Sequence, residues 1–227
     1  MPQRSYGQFC GISKALDLVG ERWTLLVVRD LMLGPLRFTD LMAGLPGIAT
    51  DLLADRLRKL EAAGIVGQRR LPPPAASKVY DLTERGRELG EVLFALGRWG
   101  ASLLEPGPGP QERVDVRWAL LSIAGSYSGP HELRECSVLE LGEETYSICI
   151  AGGRAEVRRG AVAHPAVVAR TEVRPLLAVL TKCVSLDRAI AQRWLQVSGD
   201  VEALRRLLAH TRLVVGLPTG VADSRPS

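Results

Sequence analysis

The stretch GLPGIATDLLADRLRKLEAAGIV, Gly44 to Val66, reads as a tight turn, one amphipathic helix and the start of a strand. At about 100° per residue, Leu53, Leu57 and Leu60 fall on one line with Leu52 at its shoulder, so one side of the helix is built for burial. The opposite side carries Asp51, Ala54, Asp55 and Arg58, with Lys59 at its edge and Thr50 in the first turn. In isolation such a face is an ordinary solvated surface. The flanking sequence decides otherwise.

Just upstream, RFTDLMAGLPG predicts a short helix from Arg37 to Ala43 that buries Phe38, Leu41 and Met42, followed by a turn from Gly44 to Gly47. Two turns of helix, a glycine-containing turn and a second amphipathic helix make a helix-turn-helix unit. Further upstream, helices are expected over Ser13–Leu18 and Glu21–Leu33, separated at Gly20, the second apolar on most sides and ended by Gly34 and Pro35. Downstream, IVGQRRL and KVYDL alternate like strands and are joined by PPPAAS. Proline cannot donate to a strand ladder, so Pro72 to Pro74 belong at the tip or edge of a projecting hairpin, a wing. Thr83 then caps a long helix whose stripe of Leu89, Val92, Leu93, Leu96, Trp99 and Leu103 needs a partner surface, either another subunit or a second domain.

The chain has 227 residues, enough for two domains of ordinary size. The segment EPGPGPQE lacks periodicity and is rich in Pro and Gly, so it reads as a linker. The expected division is a first domain over residues 1–104, a linker over 105–112 and a second domain over 113–227. In the second domain, RWALLSIAGSY is helical, ECSVLEL and ETYSICIAGG alternate as strands, and RAEVRRG adds a third. VRPLLAVLTKCVSLDRAIAQRW resumes helical spacing, LQVSG is a short strand and DVEALRRLLAHTRLV a capped terminal helix, with a frayed tail after it. The fold class is α+β.

The formal net charge of +4 is compatible with a polyanionic partner. Its distribution says more, because Ala62 to Tyr80 contains no acid but holds Arg69, Arg70 and Lys78. The N-terminal stretch lacks an apolar run behind a basic segment, and no apolar run approaches the ~20 residues needed to cross a bilayer, so a cytoplasmic protein without a membrane role is expected. Cys10, Cys136, Cys149 and Cys183 form no CxxC and have no nearby His pair, which argues against zinc; Cys149 and Cys183 read as small core residues and Cys136 carries no signal. His131, His164 and His210 are scattered, and no catalytic triad, Walker loop or dinucleotide fingerprint is present. Neither an enzyme nor a cofactor is expected.

The run ALDLVGERWTLLVVRDLMLGPLRFTDLMAGLPGIATDLLADRLRKLEAAGIVGQRR, followed by KVYDLTERGREL, resembles the HxlR family of bacterial winged helix-turn-helix transcription regulators, with GERWT, GPLRF, LPGI, LRKLEAAGIV and YDLTERG in the family's order. The likeness spans residues 10 to 104. It implies a homodimer that binds double-stranded operator DNA, with the first helix and the long helix forming the dimer contact; a repressor is expected, although the sequence alone does not give the sign of regulation. As the second helix of the unit, the Gly44–Val66 helix then places Thr50, Ala54 and Arg58 towards base edges or phosphates in the major groove. Asp51 and Asp55 suit the positive helix N-terminus but repel phosphates, so one of them either accepts from a cytosine amino group or faces away. Arg69, Arg70 and Lys78 are expected on phosphates from the wing. Arg37 begins its helix where a cation is unfavourable, a cost easier to understand if it meets a phosphate. Cys10 precedes the first helix and is either a buried structural thiol or a redox sensor of the kind some family members carry, although Gly11 stands where the family often has proline.

The run RPLLAVLTKCVSLDRAIAQRWLQVSGDVEALRRLL resembles a sterol-carrier-protein-type lipid-binding domain. That resemblance implies a smaller α/β module with an apolar cavity, for which Leu176, Leu177, Leu180 and Val184 are the candidate lining of an effector site. The alternative is a lipid-binding or carrier protein that uses its winged domain for protein association.

Overall fold

The computed structural model describes residues 5–72, 77–104, 112–113 and 115–211. The expected hairpin tip beyond Pro72, most of the Pro/Gly segment and the tail after Thr211 lie outside the described residues. The chain divides into two compact units, Met1–Leu93 and Phe94–Ser227. The division falls inside the long helix, not at the Pro/Gly segment, and the second unit, expected to be the smaller, is the larger.

The first unit contains α1 (Gly11–Val19), α2 (Thr24–Leu31), α3 (Phe38–Gly44), α4 (Thr50–Ala62), β1 (Val66–Arg70) and β2 (Lys78–Leu82), and α5 (Glu84–Gly100) begins in it. Val27, Val28, Leu31, Leu41, Leu53 and Leu57 are almost wholly excluded from solvent and form its centre. The helix predicted from Glu21 starts three residues later. Trp23 adopts a left-handed conformation at φ 78°, and the Arg56 side chain donates to the Arg22 carbonyl over 3.0 Å, so the turn before α2 is pinned to α4 instead of joining the helix.

Gly47, at φ 88°, makes the turn between α3 and α4. The end of α4 is closed by Gly64 at φ 66°: Gly64 donates to the Glu61 carbonyl and Ile65 to the Leu60 carbonyl, the paired bonds of a Schellman motif. This throws the chain through Ile65 directly into β1 at Val66. The strands pair antiparallel from Val66 opposite Leu82 to Arg70 opposite Lys78. Leu36 adds a bridge to Tyr80 on the other edge of β2, which ties the residue before Arg37 to the wing. Thr83 caps α5 as expected, its hydroxyl accepting from the Gly86 amide over 3.0 Å.

The second unit holds α6 (Val116–Ser126), β3 (Glu135–Leu141), β4 (Glu144–Ala151), β5 (Arg154–Arg159), β6 (Val167–Thr171), α7 (Val173–Leu180), α8 (Leu186–Ala191), β7 (Leu195–Gly199) and α9 (Val201–Ala209). Its sheet runs β5-β4-β3-β6-β7, with β3 and β6 parallel and the other neighbours antiparallel. The parallel strand β6 has no counterpart in the sequence reading. The single helical run expected through Val184 is broken: Thr181 turns its hydroxyl back to the Leu177 carbonyl over 2.7 Å, and Lys182 is left-handed at φ 60°. Ser185 and Asp200 cap α8 and α9 through hydrogen bonds to the amides of Arg188 and Glu202.

The cysteines differ from expectation. Cys136 and Cys149 stand opposite each other on β3 and β4 and are disulfide-bonded, while Cys183, expected in a core, is exposed beyond the end of α7. Cross-strand neighbours on one face are about 4.5–5.5 Å apart, which brings two thiols within bonding reach once the register is set. Register is invisible in the cysteine spacing.

Candidate nucleic-acid interface

The outer face of α4 follows from its helical phase. At about 100° per residue, Asp51 and Asp55 each lie about 160° from Leu53, on opposite sides, and Arg58 lies about 140° away. Asp51 and Arg58 are exposed, and Asp55 is half-buried. Thr50 is closer in phase to the buried stripe, yet the open first turn leaves it exposed; Ala54 is half-buried on the flank.

The charges on this face are not equivalent. Asp55 accepts from Arg56 at 2.7 Å, Lys59 at 3.1 Å and Arg58 at 3.2 Å, and the Lys59 hydrogen bond holds its carboxyl below the ordinary carboxylate pKa. Glu21 engages Lys59 at 3.0 Å and also pairs with Arg56. The expectation that Asp55 repels a polyanion is therefore corrected, because three cations compensate it. The i,i+4 spacing of Asp55 and Lys59 is readable in the sequence. Glu21 joins through the tertiary fold, and neither it nor Arg56 was legible as part of this site.

On the wing, Arg69 donates to Asp81 at 3.1 Å, and Arg87 takes the other oxygen of the same carboxylate at 3.1 Å. Arg70 and Lys78 are exposed, directly opposite in register, and have no ion-pair partner among the described residues. Like charges facing each other across a strand pair destabilise it. An anion between them reverses that cost. Arg37 is exposed at the start of α3; the helix compensates by using Asp40, whose carboxylate accepts from the Arg37 amide over 3.0 Å. The first unit thus carries an ion-paired helix face and, on the hairpin that follows it, two exposed cations with no ion-pair partner among the described residues, the arrangement of a winged helix-turn-helix.

Residues 18–108 match the HxlR-like helix-turn-helix family. The chain is 39% identical over 99 residues to the HTH-type transcriptional regulator sll1512 of Synechocystis, covering 44% of this chain and 73% of that protein. It is 36% identical over 96 residues to the HTH-type transcriptional regulator YodB of Bacillus subtilis, covering 42% of this chain and 86% of that one. The solved reduced form of YodB covers 44% of this chain and 99% of its own, at 36% identity and a TM-score of 0.38. The chain belongs to the HxlR-like helix-turn-helix family and is a DNA-binding transcriptional regulator.

Cys10 is exposed at the start of α1, not buried. The backbone amides of Ser13 and Ile12 at the open first turn favour its thiolate and lower the thiol pKa. In the second unit, Leu176 and Leu180 line a void of about 10 Å³ together with Leu139, Ile148 and Leu204; Leu177 and Val184 are buried but are not part of its lining. A volume of that size is about one water, and its walls are apolar. The surplus apolar surface expected of this helix is consumed by packing. Among the described residues no helix is long and apolar enough to cross a membrane.

Proposed function

We propose that the chain binds operator DNA as a homodimer, inserting α4 into the major groove and laying the wing on the flanking backbone. The observation that carries this reading is the cation pair Arg70 and Lys78, exposed and opposed in register with no ion-pair partner among the described residues. Thr50, Ala54 and Arg58 face base edges or the groove walls, and Arg37, Arg70 and Lys78 bind phosphates. Arg69 contributes less, since it is shared with Asp81.

Dimerisation uses exposed apolar stripes. Phe9, Ile12 and Leu16 repeat at helical spacing in and before α1, and Val92, Leu96 and Trp99 do so along α5; Phe9 is 109% exposed and Trp99 67%. Apolar stripes of this kind mark association surfaces. Cys10, exposed and acidified beside this first stripe, is the candidate redox-sensing thiol of the dimer.

The sterol-carrier-like reading of the second unit is supported by the succession of α8, begun by Ser185, the short strand β7, and α9, begun by Asp200. Its closed packing favours a structural role over an apolar effector site, since a ligand would have to prise Leu176 and Leu180 from their neighbours. Titration of labelled duplexes with the full chain at several salt concentrations tests the main reading. Tight binding whose logarithm falls linearly with the logarithm of salt is expected, and salt-independent or absent binding overturns it.

A further inference from the structure

On the outer face of α4 one charge is left over. Asp51 is exposed in the first turn, diametrically away from the buried stripe, and has no ion pair or side-chain hydrogen bond among the described residues. Asp55, one turn later, is compensated by Lys59, Arg56 and Arg58. The first turn of a recognition helix reaches deepest towards base edges. On the groove-binding reading, Asp51 is therefore an uncompensated anion in the turn of the helix that meets base edges.

An acid in a helix's first turn gains modestly from the macrodipole, and that gain exists without DNA. In the groove the same carboxylate meets phosphates on both sides and weakens binding to every sequence, unless a donor on a base edge accepts it as a partner. Two amino groups point into the major groove, N4 of cytosine and N6 of adenine. The adenine amino group sits beside the N7 acceptor, which repels the second carboxylate oxygen. Cytosine presents its donor without an acceptor of its own alongside. We infer that Asp51 is a specificity-determining residue that accepts from the N4 amino group of one cytosine in each half-site. This inference rests on the groove-binding reading above.

Selection from a randomised duplex library, run with the full chain and with Asp51→Ala and Asp51→Asn, tests it. The wild-type chain is expected to enrich a C·G pair at one position per half-site. Asp51→Ala loses preference at that position alone and binds unrelated duplexes more tightly, having shed a repulsive charge. Asp51→Asn shifts the preference towards adenine, which an amide can pair with bidentately. Changing the selected C·G to T·A weakens wild-type binding by roughly 5- to 150-fold and leaves Asp51→Ala unaffected. Unchanged preferences at every position in a folded Asp51→Ala variant overturn the assignment while leaving groove binding intact. If the wild-type chain enriches no sequence at all, the groove reading itself fails, and the Asp51 assignment with it.

Discussion

Arg70 and Lys78 are placed opposite each other by the register of β1 and β2, and neither has an ion-pair partner among the described residues. If each holds one phosphate, Arg70→Ala or Lys78→Ala removes two contacts per dimer and flattens the logarithmic salt slope by about 2, at roughly 0.9 per phosphate. Arg69→Ala flattens it less, because Arg69 already serves Asp81. Anisotropy titrations over a salt series measure all three, and an unchanged slope in a folded Arg70→Ala protein removes Arg70 from the interface. Gly86 illustrates a different constraint: a Cβ there would lie 2.1 Å from the Ile65 carbonyl oxygen, whereas at Gly97 it would meet nothing within 4 Å. Gly86→Ala is expected to lower stability by about 1–3 kcal/mol through overpacking. Gly97→Ala, in the exposed interior of α5, raises it by up to about 1 kcal/mol. Denaturant melts that place Gly86→Ala at or above wild type contradict the close approach. The thiol of Cys10 belongs to this scale too. Its rate of alkylation by iodoacetamide should rise with pH through a midpoint below that of free cysteine, and a midpoint at or above it contradicts the role assigned to the Ser13 and Ile12 amides.

At the scale of elements, the helix-turn-helix was legible because its signals are local. Leucines at a 3.6 period, Gly47 in the turn, Gly64 after the last turn and Thr83 before α5 each act within a few residues of themselves. Where long-range contacts decide, the sequence misled. The start of α2 is displaced by Arg56, more than thirty residues away, and the Glu21–Arg56–Lys59–Asp55 network exists only once α4 is docked. Strand β6 escaped notice because VVART is short, and its burial depends on pairing in parallel with β3. The disulfide is the sharpest case, since Cys136 and Cys149 meet through strand register. Closing a loop of this length contributes about 2–4 kcal/mol. Denaturation of the chain with and without dithiothreitol, alongside Cys149→Ser, should show that loss, and coincident midpoints would rule out a stabilising bond.

At the scale of the molecule, the account requires two chains per operator. The exposed stripes of α1 and α5 would otherwise remain in water, so Leu96→Glu, which sets a charge into the contact, is expected to yield monomers or aggregates on sedimentation. A wild-type chain that sediments as a monomer at micromolar concentration defeats the dimer. The central claim is that this dimer reads DNA sequence through α4 while the wing supplies salt-sensitive grip. Its most direct test is a titration of one selected duplex and one scrambled duplex of the same length with the full chain, repeated across a salt series. Two chains per selected duplex, a preference of at least about a thousandfold over the scrambled one, and affinity for both that falls as salt rises are predicted. Equal affinity for the two duplexes would contradict the claim.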